Sequence, residues 1–113
     1  MHEISLCEDV VRLIGDQARQ HRFTRVRTVR LQIGRLSCVA PEALRFAFDA
    51  VAKNTICDGA RLEIEEIGGR GWCDVCRREL AVGQRFDACP ECGHYPLTIT
   101  AGEEMRIGEL EVE

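Results

Sequence analysis

Aromatic residues make up only 5% of this 113-residue chain: one Trp, one Tyr and four Phe. A core must therefore rely on Val, Ile, Leu and Ala. A basic surplus is missing as well, because 15 Lys and Arg stand against 19 Asp and Glu, a formal net charge of −4. That balance gives no support for a nucleic-acid-binding surface, which usually leaves a basic footprint. The cluster Arg19, Arg22, Arg25, Arg27, Arg30 and Arg35 reads as solvated helix and strand faces. No stretch approaches the roughly 20 apolar residues that span a bilayer. The opening His-Glu lacks the basic-then-apolar order of a signal peptide, so a cytoplasmic location is the expectation. There is no nucleophile–base pair and no open catalytic metal site, which makes an enzyme the least supported class. What remains, 45% hydrophobic and 30% charged, suits one small domain or a small core with an attached module.

Apolar spacing outlines the elements. Cys7, Val10, Val11, Ile14 and Ala18 recur at intervals of three and four, which predicts an amphipathic helix over 4–21. Residues 26–33 alternate, with Val29, Leu31 and Ile33 on one side, as a half-buried strand ending at Gly34 does. Pro41 suits the first turn of a second helix, with Leu44, Ala47, Phe48 and Val51 as its apolar stripe and Asn54 near its end. Asp58-Gly59 is a turn signal, and 61–67 follows as a strand with Leu62 and Ile64 facing inward. Composition changes at Gly68-Gly69-Arg70-Gly71, which marks a boundary or hinge. Residues 72–100 hold four cysteines and few aliphatics. Alternation returns after Gly102 through Met105 and Ile107, then Leu110 and Val112. The slip of phase across Gly108-Glu109 implies a bulge or bend.

The expected fold class is α+β: two helices packed on a small mixed sheet, with an inserted four-cysteine module resembling a zinc ribbon. Residues 1–67 and 101–113 form the first domain, its last segment returning as a strand to the same sheet. Residues 68–100 form the second.

Seven cysteines would suggest disulfides in a secreted protein, but the odd count and the paired spacing point to metal ligands in a reducing compartment. Cys73-x-x-Cys76 is followed after twelve residues by Cys89-x-x-Cys92. Two such knuckles complete a tetrahedron of thiolates around one ion at about 2.3 Å. Pro90 and Gly93 supply the pre-set and the free φ that such a turn favours. A closed tetrathiolate zinc leaves no position for a substrate, so its role is structural. Two other readings compete: a rubredoxin-like electron carrier with iron in the same thiolates, and a zinc-ribbon module that binds nucleic acid or protein. Cys7, Cys38 and Cys57 read as core filler.

Met1-His2-Glu3 offers a second kind of site. The α-amine has a pKa of about 7.7–8.0, within reach of deprotonation when a metal competes for its lone pair. The amine and the His2 amide nitrogen close a five-membered chelate ring. That amide and the His2 imidazole Nδ1 close a six-membered one, and the Glu3 amide offers a fourth nitrogen. Nitrogens in a plane suit Ni(II) or Cu(II). By spacing alone the plainer reading is an exposed His2 and a Glu3 carboxylate near the positive end of the first helix. His21 falls near that helix's C-terminus. His94 reads as a surface residue, with donation to a cysteine sulfur or a turn toward the terminal site as alternatives.

Taken together, the opening Met1-His2-Glu3-Ile4-Ser5-Leu6, the strand Val29 to Ile33 with Gly34, the paired knuckles and the tail from Thr98 to Glu113 with Gly102-Glu103-Glu104-Met105-Arg106 resemble the HypA-type nickel metallochaperones, the hydrogenase maturation factors also called hydrogenase nickel incorporation proteins. The resemblance covers essentially the whole chain. It implies a nickel-delivery protein that is not an enzyme, with Ni(II) as transient cargo at Met1, His2 and Glu3, and a structural Zn(II) on Cys73, Cys76, Cys89 and Cys92. It also implies, as partners, a nickel-dependent GTPase of the HypB type and the [NiFe] hydrogenase large subunit, with urease maturation proteins served by some relatives. The protein itself is expected to be a monomer or weak homodimer. Certain members carry a longer insert between the cysteine pairs with an extra histidine. The twelve residues here contain none, which puts a fifth ligand of that kind in question and leaves only His94 as a substitute.

Overall fold

The computed structural model describes residues 3–113; the expectations resting on Met1 and His2 lie outside the described residues. The elements run α1 (Glu3–His21), β1 (Val26–Gly34), a 3-10 turn (Arg35–Ser37), α2 (Pro41–Ala52), β2 (Arg61–Ile67), β3 (Gly69–Cys73), β4 (Arg78–Val82), β5 (Thr98–Ala101) and β6 (Met105–Val112). The strands form two three-stranded sheets, ordered β2-β1-β6 and β4-β3-β5. Two helices with small sheets are the α+β class that the periodicity predicts. No helix among the described residues is long and apolar enough to cross a membrane.

The chain divides into two compact units. One comprises Met1–Leu31, Val39–Ile64 and Ile107–Glu113; the other comprises Gln32–Cys38 and Glu65–Arg106. In the first, α1 buries Cys7, Val10 and Ile14, while Asp9–Arg12 and Asp16–Arg19 pair three residues apart along exposed positions. Pro41 opens α2 as the sequence predicts, and Leu44, Ala47, Phe48 and Ala52 are its buried face. The Cys7 thiol donates to the Leu44 carbonyl at 3.6 Å, tying α1 to α2. Phe48 is the one aromatic among the buried core residues described, beside Ile14, Leu31, Leu44, Val26 and Val29. The core is therefore aliphatic, as the scarcity of aromatics requires.

Strand directions follow from the pairs along β1. Arg25 and Glu113 exchange backbone hydrogen bonds, and farther along Arg30 binds Glu109 and Glu111, so β6 runs antiparallel to β1. The Val26 amide donates to Ile56 just ahead of β2, and Arg30 binds Glu63 at 2.7 Å within it, so β2 runs parallel, with α2 as the crossover. The Arg30 guanidinium thus holds one carboxylate of β2 and two of β6. Its pKa is raised first by the hydrogen bond and charge of Glu63. Each pair is half-exposed and worth little singly, but together they fix register across three strands.

Several residues depart from expectation. Cys38 is exposed rather than buried, because it follows the 3-10 turn in the left-handed region at φ 63 and projects away from the core. Val112 is 42% exposed, since it lies near the end of an edge strand. Within β6, Met105, Ile107 and then Leu110 are the half-buried apolar positions, which retains the slip of phase seen in the sequence. Gly69 and Gly71 belong to β3 and are buried. A Cβ on Gly69 would lie 2.4 Å from the Val82 carbonyl oxygen, whereas Gly68 has open space. Two of the three glycines read as a hinge therefore serve close packing.

Burial, with the charge of Glu3 added, pushes the Cys7 thiol from 9.0 up to about 11. Above pH 9 the unfolded chain releases this proton while the folded chain retains it. Stability present below that pH is therefore lost as pH rises toward 11, by at most about 2–3 kcal/mol. In urea titrations, Cys7→Ala is expected to show a shallower fall of stability over this window than the parent. Equal slopes would exclude Cys7 as the source.

Candidate metal centre

Cys73 ends β3 and Cys76 lies in the turn before β4, while Cys89 and Cys92 lie in the connection between β4 and β5. The antiparallel β3–β4 ladder pairs Cys73 with Arg78, so the first knuckle is the loop of that hairpin. The Cys76 amide donates to the Cys73 sulfur at 3.4 Å, and the Arg77 amide to the Cys73 carbonyl at 2.7 Å. In the second knuckle the Gly93 amide donates to the Cys89 carbonyl and the Cys89 amide to the His94 carbonyl, each at 2.9 Å. The two knuckles repeat one backbone device, each leaving its second cysteine through a left-handed residue: Arg77 at φ 55 and Gly93 at φ 78. Glycine adopts that conformation freely, whereas at Arg77 it costs about 1–2 kcal/mol. The matched spacing is the signal that could have identified Arg77, and composition hides it.

All four sulfurs lie within 4.8 Å of one another, with Cys73–Cys92 at 3.6 Å and Cys76–Cys89 at 3.9 Å. Four thiolates at about 2.3 Å from one ion would stand about 3.8 Å apart, so the cage fits a tetrahedral metal. Both distances are far beyond a disulfide bond of about 2.05 Å. Cys73 is fully buried and Cys89 nearly so, while Cys76 is half-buried and Cys92 exposed. Without metal the thiols share protons. Hydrogen bonding with Cys92, then burial, pushes Cys76 up to about 12. Cys89 moves the other way: burial raises it, but hydrogen bonds led by the Cys92 amide outweigh that and lower it. Metal binding must displace these protons, so affinity falls as pH falls.

Among the described residues no other group of three or more His, Cys, Asp or Glu side chains could hold an ion. His21 is exposed and His94 half-buried. Glu3 is the first residue of α1 and is half-buried. Its carboxylate charge reaches Cys7 one turn later.

A family model described as hydrogenase/urease nickel incorporation, metallochaperone, HypA, matches residues 1–112. The chain belongs to the HypA family. Among its relatives, the hydrogenase maturation factor HypA of Methylocella silvestris is 53% identical over 113 residues, and that of Azotobacter chroococcum 51%, each alignment covering 100% of both chains. The solution structure of the Ni metallochaperone HypA from Helicobacter pylori superposes with a TM-score of 0.75 at 24% identity, covering 99% of this chain and 97% of that one. A second solution structure of a HypA protein gives 0.74. At that identity the likeness speaks for the fold, which is shared along the whole length.

Proposed function

We propose that this chain is a cytoplasmic nickel carrier of hydrogenase maturation that binds and releases its cargo without catalysing a reaction. Membership of a nickel-incorporation family along the whole chain carries this reading. Ni(II) binds at the amino terminus through the α-amine, the His2 amide and imidazole, and the Glu3 amide, a planar nitrogen set of the kind nickel favours. Zn(II) occupies Cys73, Cys76, Cys89 and Cys92, which the sulfur spacing supports. It closes residues 68–100 into a zinc-binding domain, with 1–67 and 101–113 as the nickel domain. The partners are a HypB-type GTPase, the [NiFe] hydrogenase large subunit and, in organisms that have it, the urease maturation proteins. Exchangeable nickel is required because a carrier must let go.

Nickel titration tests the terminal site. His2→Ala, and a version with one residue added before Met1, are each expected to bind Ni(II) at least about 100-fold more weakly, a loss near 2.7 kcal/mol. Binding by both at the parent's affinity would move the nickel elsewhere. Metal analysis of the same preparations distinguishes colourless, redox-silent zinc from the iron of a rubredoxin-like carrier.

A further inference from the structure

The chain on either side of the second knuckle encloses a cleft of about 150 Å³. Two stretches line it: Arg85, Phe86 and Asp87 before Cys89, and Tyr95, Pro96 and Leu97 after Cys92. Phe86 is 79% exposed and Tyr95 52%, so two of the chain's six aromatics stand on one cleft with their rings largely in water. Phe86 also lies in the left-handed region at φ 69, which a bulky side chain adopts only against resistance. Its neighbours hold it there. The Arg85 Nε donates to the Leu36 carbonyl at 2.8 Å, and the same guanidinium pairs with Glu103. The Asp87 amide donates to the Gln84 carbonyl at 3.3 Å, and the Gln84 amide to the Asp87 carboxylate at 3.0 Å. Backbone strain retained where a ring is kept in solvent is a mark of ligand clamps.

We propose that this cleft docks an arginine side chain carried on an extended segment of a partner protein. Charge selects the ligand. Glu103 neutralises Arg85, whereas Asp87 has no cationic partner among the described residues, so the cleft's uncompensated charge is negative. A guanidinium over the faces of Phe86 and Tyr95 gains cation–π attraction, and its planar fork matches the Asp87 carboxylate. The methylene stem covers Pro96 and Leu97. Lysine brings only a point charge and stacks less well. Free arginine fits worse, because its α-carboxylate would meet Asp87 and find Arg85 already taken. Phosphates are repelled for the same reason. β5 begins directly after Leu97 and is an edge of its sheet, which offers an extended segment a free strand to run beside. The cleft uses none of the residues assigned to either metal, so the inference stands apart from both.

Nuclear magnetic resonance titration of the full chain with acetyl-Ala-Arg-Ala-amide, up to about 10 mM, tests it, since one docked side chain gives a Kd on the order of 1 mM. The ring protons of Tyr95, the one tyrosine in the chain, and the amides of Phe86 and Asp87 are expected to shift. Peptides with lysine, citrulline or glutamate in place of the arginine should bind in falling order, with glutamate not binding. Asp87→Asn keeps an oxygen for the Gln84 amide and should weaken arginine binding at least about fivefold, bringing it level with citrulline. Phe86→Gly should weaken it at least about fivefold as well. That variant relieves the left-handed backbone, so its urea midpoint should be no lower than the parent's, which separates lost binding from lost folding. Should Phe86→Gly unfold more readily, Asp87→Asn decides. Absence of shifts at Tyr95 and Phe86 would overturn the proposal. Equal binding of the arginine and citrulline peptides by the parent would overturn it too, as would parent-like affinity in both variants.

Discussion

Stripping the proposed zinc from the four-cysteine site is expected to melt the unit that holds the cysteines while the two helices stay folded. The buried apolar residues of that unit are few: Ile33, Leu36 and Val82, besides Cys73 and Cys89 themselves. Burying a Val or Leu contributes about 1.5–3 kcal/mol, and ordering each residue costs about 1–2 kcal/mol, so such a core does not hold the unit alone. A structural zinc contributes on the order of 10–16 kcal/mol, the largest single term available here. The helical unit has its own core of Cys7, Val10, Ile14, Val26, Val29, Leu31, Leu44, Phe48 and Cys57, and none of these belongs to the four-cysteine cluster. The molecule supplies two separate reporters. Its only tryptophan, Trp72, lies in β3 one residue before Cys73, whereas helix dichroism reports α1 and α2. After chelation, or in Cys73→Ser, Trp72 emission should shift to the red with most of the helix signal retained. Emission unchanged once zinc release has been measured would show that the metal does not hold this unit together.

Replacing Gly34 by Ala is expected to be severely destabilising. The end of β1 and the turn before β6 meet there, with the Gly34 amide donating to the Glu104 carbonyl at 2.8 Å and the Leu36 amide to the Gly102 carbonyl at 2.7 Å. A Cβ on Gly34 would lie 2.1 Å from the carbonyl carbon and oxygen of Gly102 and 2.7 Å from the Glu103 nitrogen. All three are backbone atoms and cannot rotate away. Gly102 sits at φ +100, and a Cβ there would lie 2.6 Å from the Gly69 Cα. Three backbones thus cross with no room for a side chain. We expect Gly34→Ala and Gly102→Ala each to cost at least about 3 kcal/mol in denaturant titrations. Gly68→Ala is the control: its Cβ would meet nothing within 4 Å, so its effect should stay within about 1 kcal/mol. Parity between Gly34→Ala and Gly68→Ala would mean that the three backbones do not cross tightly.

Both outcomes bear on what the sequence makes legible. The helix over Glu3–His21, the strand Val26–Gly34, the Pro41 start of α2 and the strand Arg61–Ile67 could all be read from spacing, because each is an amphipathic repeat that reports which face is buried. The gathering of four cysteines into one cluster could be read too, since a two-residue gap fixes how two sulfurs turn toward one point. The family could be read from the order of these motifs along the chain. The β3–β4 hairpin was not legible, because its strands alternate weakly and the cysteine spacing dominated the segment. Cys38 looked like filler by type alone, and only the left-handed turn at φ 63 turned it outward.

The sequence by itself determined the local geometry: the helical stripes, the alternating strands, the two knuckles and the acidic balance that argues against nucleic acid. These follow from residue type and spacing over a few positions. Only the tertiary structure decided which glycines are packed and which is free, and that Arg30 joins three strands. Each of those depends on backbones brought together from distant parts of the chain, which no local pattern encodes.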